Sequence, residues 1–166
     1  EAGGGTALTD HLYAAFKILD GRQGRRVVVV LSDGFDVYSA LRMRDVVWKA
    51  QRSQAIVYWI QLQDRGGPAG SQPGLYSSAW RDAPENREEY EALRRLVLET
   101  GGRIEPIERI GEVEHAFRSI LAELREQYVL GYYPTDLRHD GSWRQVQVRV
   151  RGFGNQVRVR EGYVDF

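Results

Sequence analysis

The 166-residue chain contains no cysteine, which excludes disulfides, thiolate nucleophiles and cysteine-held metal ions. It has no excess charge either. Its 23 Lys and Arg balance 23 Asp and Glu for a net charge of 0, so no long-range field draws it to polyanions, and a nucleic-acid partner is disfavoured. No apolar run comes near the roughly 18 residues of a membrane-spanning helix, so no span is expected. No serine sits in a nucleophile elbow, and no glycine loop matches a P-loop or dinucleotide fingerprint. His11, His115 and His139 fall on different elements, which argues against a zinc triad. What is present, 42% hydrophobic and 28% charged residues, fits one folded domain that buries about 70% of its unfolded surface.

Apolar spacing orders the chain into alternating helices and strands. Leu8, Leu12, Ala15, Phe16 and Leu19 recur at helical intervals and predict a helix over 9–20, with Thr6 or Thr9 as its cap. Val27 to Leu31 is an unbroken aliphatic run, and it predicts a strand buried on both faces, as in a parallel sheet. A helix over 41–53 and a second buried strand over 56–60 follow. The stretch from Asp64 to Pro84, with Tyr76 and Trp80, reads as a long surface loop. Asp82 and Pro84 open a helix over 84–100, then come a short strand at 103–105 and a last helix over 111–126. Beyond residue 127 the pattern is all-β. Residues 128–133 are strand-like, and 145–151 and 156–160 alternate across a turn at 152–155, predicting an antiparallel hairpin with one wet face. The expected organisation is an α/β unit over 1–127 and a β extension over 128–166 packed on the same sheet.

Ligands of open α/β sheets bind beyond the carboxyl ends of the strands. Asp33 stands at such an end, between Ser32 and Gly34, with Asp36 three residues on and Thr6 in the glycine loop before the first helix. A carboxylate and a hydroxyl completed by water form an all-oxygen set of the kind that Mg²⁺ or Mn²⁺ accepts. Asp-Gly after a strand is equally ordinary turn chemistry, and Gly-Thr before a helix ordinary capping. The hairpin carries the one lopsided charge: five arginines and no acid lie between Arg144 and Arg160. Arg149, Arg151, Arg158 and Arg160 are expected on its outward face. They form either an anion- or nucleic-acid-binding platform, with Trp143 and Phe153 to stack on, or a solvated face kept soluble by charge.

Gly4-Gly5-Thr6-Ala7-Leu8-Thr9-Asp10, followed by Arg25-Arg26-Val27-Val28-Val29-Val30-Leu31-Ser32-Asp33-Gly34-Phe35-Asp36, resembles the second half of a von Willebrand factor A (VWA) domain. Thr100-Gly101-Gly102-Arg103, Gln127-Tyr128-Val129-Leu130-Gly131-Tyr132-Tyr133-Pro134 and Val159-Arg160-Glu161-Gly162-Tyr163 look like the VWA-related proteins of acidobacteria. The resemblance implies a partial Rossmann-like three-layer α/β sandwich with a mainly parallel sheet and a C-terminal antiparallel hairpin. It also implies that Thr6 and Asp33 match two positions of the metal-ion-dependent adhesion site, with Ser32, Gly34 and Asp36 beside the ligand. The family's first metal motif, Asp-x-Ser-x-Ser, is expected before the glycine loop and does not occur in these residues.

One Asp and one Thr hold a reluctantly dehydrating ion poorly, so Mg²⁺ or Mn²⁺ binding by this chain is expected to be weak or absent. Without the neighbour that the first strand would provide, Val27 to Leu31 becomes an edge strand, which invites pairing with another chain or with its own copy. The favoured expectation is a non-enzymatic adhesion or assembly module with a protein partner, or a homodimer through 27–31. A divalent-metal hydrolase using Asp33 and Asp36 is the weaker alternative, because no nucleophile or base accompanies them. Resemblance places the protein in the periplasm or outside the cell.

Overall fold

A computed structural model describes residues 6–63, 82–136, 138–152 and 157–165. The glycine loop through Gly5, the segment with Tyr76 and Trp80, and the hairpin turn with Phe153 lie outside the described residues. Among those described, the order is α1 (Leu8–Asp20), β1 (Val27–Ser32), α2 (Met43–Arg52), β2 (Ile56–Leu62), α3 (Pro84–Glu99), β3 (Ile104–Ile107), α4 (Val113–Glu126), β4 (Trp143–Gln145) and β5 (Gly162–Val164). The chain is thus mixed α/β, with a three-stranded parallel sheet and a two-stranded antiparallel one. No helix among the described residues is long and apolar enough to cross a membrane.

The parallel sheet runs β1-β2-β3, and alternation along its middle strand sorts the core. Val57 and Trp59 turn to one face, where Leu12 and Phe16 of α1, Val46 of α2 and Leu93 and Leu96 of α3 close over them. Tyr58 and Ile60 turn to the other, where α4 alone supplies Ala116 and Ile120. Among the described residues only β2 has a strand on both sides, and Val57, Tyr58 and Trp59 are wholly buried. β1 lies at the rim. Its side chains pack on both faces, Val28 and Val30 against one cluster and Val27 and Val29 against the other, but only Val30 is buried and Leu31 is 47% exposed, so the expected burial on both faces is met in part: among the described residues the run has a strand neighbour on one side.

The two rims differ. Trp59 N–H donates to Arg103 O and Gln63 N–H to Ile107 O, which by the parallel ladder's alternation turns Ile104 and Pro106 outward. A proline there removes a donor from the open side. On the opposite rim Ile56 N–H donates to Arg26 O, and the same alternation turns the N–H and C=O groups of Val27, Val29 and Leu31 outward. Neither proline nor charge interrupts that row.

The C-terminal hairpin is paired nearer its base than its spacing predicts. Trp143, Arg144 and Gln145 face Val164, Tyr163 and Gly162, and Val146 N–H donates to Glu161 O at 2.8 Å. This ribbon is a separate sheet rather than a continuation of the parallel one. The expected inner strands at 145–151 and 156–160 form no ladder beyond Val146 among the described residues. The cause is competition from the body: Glu161 N–H donates to Glu99 O at 3.0 Å. Gly101, at φ +83°, brings its turn so near the Val159–Arg160 backbone that a Cβ there would collide. Residues 128–133, strand-like in sequence, likewise carry no ladder.

Because α4 is the sole described helix on its face, Ile120→Ala should lower stability by about 2–5 kcal/mol. Phe117→Ala on the same helix, where Phe117 is 43% exposed, should cost about 1 kcal/mol or less. Urea unfolding of both variants measures the difference, and equal costs would contradict the packing described.

Candidate functional site

The carboxyl ends of the strands gather the residues that the sequence singles out. β1 ends in a tight turn in which Ser32 Oγ accepts the Gly34 N–H at 3.0 Å and an Asp33 carboxylate oxygen accepts the Phe35 N–H at 3.2 Å. Trp59 props this turn from beneath by donating its Nε1–H to Ser32 O at 2.9 Å. Tyr90 of α3 stacks on Phe35 at 5.1 Å and meets Trp59 edge-on at 5.4 Å. Gly34 adopts φ +92°, and a Cβ there would run into the Trp59 and Tyr90 rings, so only glycine fits. Thr6 is exposed. Its carbonyl accepts Val37 N–H at 2.9 Å and Tyr38 N–H at 3.3 Å, which tethers it to the loop after Asp33.

Asp36 has another role from the one expected. Its carboxylate accepts the Thr9 N–H at 2.6 Å and the Tyr38 and Ser39 N–H groups at 3.2 and 3.0 Å. It therefore caps α1 from 27 residues away, whereas the expected caps, Thr6 and Thr9, give no side-chain bond to the helix start, whose N-cap is Ala7. Burial pushes the Asp36 pKa up, but the bonds from Ser39 and Thr9 outweigh it and hold the carboxyl below its ordinary value.

Asp10 and Glu89 act in the same way and escaped the sequence reading. Asp10 accepts Ala40 and Leu41 N–H, both at 3.0 Å. Glu89 accepts the Met43 N–H at 2.6 Å and so caps α2 from α3. The acidic run at the start of α3 was the available signal, but it reads simply as macrodipole compensation. A cleft of about 220 Å³ lies between these groups, lined by Thr9, Gly34, Phe35, Asp36, Arg42 and Glu89 among others.

At the opposite end of the sheet the four hairpin arginines part company. Arg158 donates to Gly101 O at 3.2 Å and pairs with Glu123. Arg160 donates to Ala50 O and Gln51 O at 2.8 and 2.9 Å, capping the carboxyl end of α2. Arg149 bonds Gln147 at 3.0 Å and is exposed, as is Arg151. The structure thus turns Arg158 and Arg160 onto the body, away from any common outward face. Glu123 also accepts the Tyr58 hydroxyl at 2.5 Å and pairs with Arg103 at 3.1 Å. Burial and the neighbouring Glu123 carboxylate push the Tyr58 pKa up to about 12.

No family model matches the chain, and neither a curated protein nor a solved structure matches it.

Asp36→Ala removes the α1 cap and should cost about 1–2 kcal/mol. The carboxyl is held below its unfolded value of about 3.9, so its contribution is complete above that pH and fades as pH falls through the lower folded value. Urea midpoints followed against pH should therefore decline less steeply in acid for the variant than for the wild type. An unchanged acid limb would show that Asp36 is not the cap.

Proposed function

We propose that the chain is a non-enzymatic protein-interaction module corresponding to the later part of a VWA domain, and that β1 is its docking edge. One observation carries this: among the described residues β1 pairs with β2 alone, and the main-chain N–H and C=O groups of Val27, Val29 and Leu31 turn outward, with neither charge nor proline in the row. Such an edge templates the addition of a strand from another chain, through main-chain bonds supplemented by side-chain contacts. The VWA assignment is supported by the all-parallel β1-β2-β3 order, by helices on both faces, and by the Ser32-Asp33-Gly34 turn with Thr6 tethered beside it. An exported location belongs to the same proposal.

The divalent site is secondary. Mg²⁺ takes near-octahedral oxygen coordination and gives up water reluctantly. Asp36 already serves three amides, which leaves Asp33 and Thr6 as the donors that VWA chemistry would use. They do not fit a tightly held ion, and no step of recognition is assigned to one.

Immobilised protein should retain partner proteins from the native extract in the presence of a chelator. Val29→Pro, which removes one outward N–H without touching the β1–β2 ladder, should abolish the retention. Retention that survives Val29→Pro but is lost with Asp33→Ala would move recognition to the carboxyl edge and overturn the proposal. Calorimetric titration with MgCl₂ should give millimolar affinity or no heat; a micromolar Kd would refute the weak-metal reading.

A further inference from the structure

The base of the C-terminal ribbon forms a second cleft, of about 610 Å³, whose lining includes neither β1 nor the Asp33 turn. Four aromatic rings wall it: Tyr132 and Tyr133 from the segment before Pro134, Trp143 from β4 and Tyr163 from β5. Tyr132 meets Tyr163 edge-on at 6.2 Å with the ring planes 70° apart, which makes a corner rather than a flat wall. Tyr133 is 99% exposed and Trp143 39%, so ring surface is open to a ligand. The loop beneath is held in place. The buried Asp165 carboxylate accepts the Arg138 N–H at 3.1 Å and the Arg144 Nε–H at 2.7 Å, and Gly141 N–H donates to Asp165 O at 2.8 Å. A volume within the ~300–1,000 Å³ range, aromatic walls and a few fixed polar groups are the anatomy of a binding cleft.

The chemistry of the lining selects the ligand. Both of its arginines are answered, Arg138 by Asp136 at 2.8 Å and Arg144 by Asp165 at 2.5 Å, so no net charge is left to recruit an ion. These pairs engage the carboxylates as acceptors, whereas the Trp143 indole N–H, the tyrosine hydroxyls and the other guanidinium N–H groups can donate. The complementary ligand is neutral, rich in acceptors and apolar on its faces. An oligosaccharide matches poorly, because each of its hydroxyls must donate as well as accept. A polyproline II segment matches well. Proline has no N–H, the carbonyls of this helix make no internal hydrogen bonds, and its side chains dock in aromatic-lined grooves. It is also extended before it binds, so an open cleft need not supply the cost of ordering it. We infer that the cleft between Tyr132, Tyr133, Trp143 and Tyr163 binds a proline-rich segment of a partner protein in the polyproline II conformation. The site stands apart from β1 and does not depend on the reading of that edge.

The whole chain, labelled with ¹⁵N, is titrated with an acetylated and amidated proline decamer, and its amide and indole N–H signals are followed by NMR. The expected result is saturable shifts centred on the ribbon base, the Trp143 indole N–H among them, with a submillimolar Kd. Tyr133→Ala removes a side chain that lies in solvent, so it leaves the fold intact and should raise the Kd at least about fivefold. Trp143→Phe keeps an aromatic ring beside Gly162 but removes the N–H donor, and it should weaken binding as well. Val29→Pro should leave the Kd unchanged, which separates this cleft from the β1 edge. Equal affinity for a Gly-Ser decamer, or binding of cellopentaose with none of the proline decamer, would overturn the inference. So would a Kd that Val29→Pro raises and Tyr133→Ala does not, or the absence of shifts at the ribbon base.

Discussion

The arrangement hangs on β2 having helices over both faces and a strand on each side. Four successive residues, Val57 to Ile60, are buried with no more than 1% of their surface exposed, so the strand's two buried aromatics must find partners for their polar tips inside the fold. Trp59 sends its N–H to Ser32 O and thereby braces the turn that carries Asp33. Tyr58 sends its O–H the other way, to Glu123, which in turn pairs with Arg158 of the C-terminal segment. Adjacent residues of one strand thus secure opposite ends of the molecule, and the alternation of the pleat assigns each its direction.

A second regularity concerns carboxylates. At the edge where α1, α2 and α3 begin, the acids serve backbone amides: Asp36 for α1, Asp10 for the loop at 40–41, Glu89 for α2. The orphan N–H groups of a helix start demand acceptors, and here they are drawn from sequence-distant elements instead of the helix's own cap residue. The acids therefore fasten the helix starts to one another. An edge that looks in sequence like a cation site is in large part the joinery of the helix layer, and Asp33 too accepts a backbone amide, that of Phe35.

The strands and helices of the parallel unit were legible because their signals are local. The aliphatic runs at 27–31 and 56–60 became β1 and β2 with one or two residues added, and the apolar periodicities became α1 to α4 with ends shifted by a residue or two. What escaped depends on partners far along the chain. Nothing near Asp36 marks it as the cap of a helix 27 residues earlier, and nothing near Arg160 shows that it reaches a helix end 110 residues away. The alternation around Arg158 and Arg160 is that of a free hairpin. It predicts a wet face because periodicity registers which residues share a side, not which competing surface that side meets. The same blindness explains why 128–133 reads as a strand though it pairs with no strand among the described residues.

The clasp of Arg160 on α2 has a temporal consequence. Its guanidinium terminates a helix made more than a hundred residues earlier in synthesis, so for most of translation the last carbonyls of α2 must be solvated by water. Closing so long a loop carries an entropic cost that grows with its span. The C-terminal ribbon is therefore a late-arriving latch: the parallel unit assembles first, and the ribbon then fixes helices that are already in place.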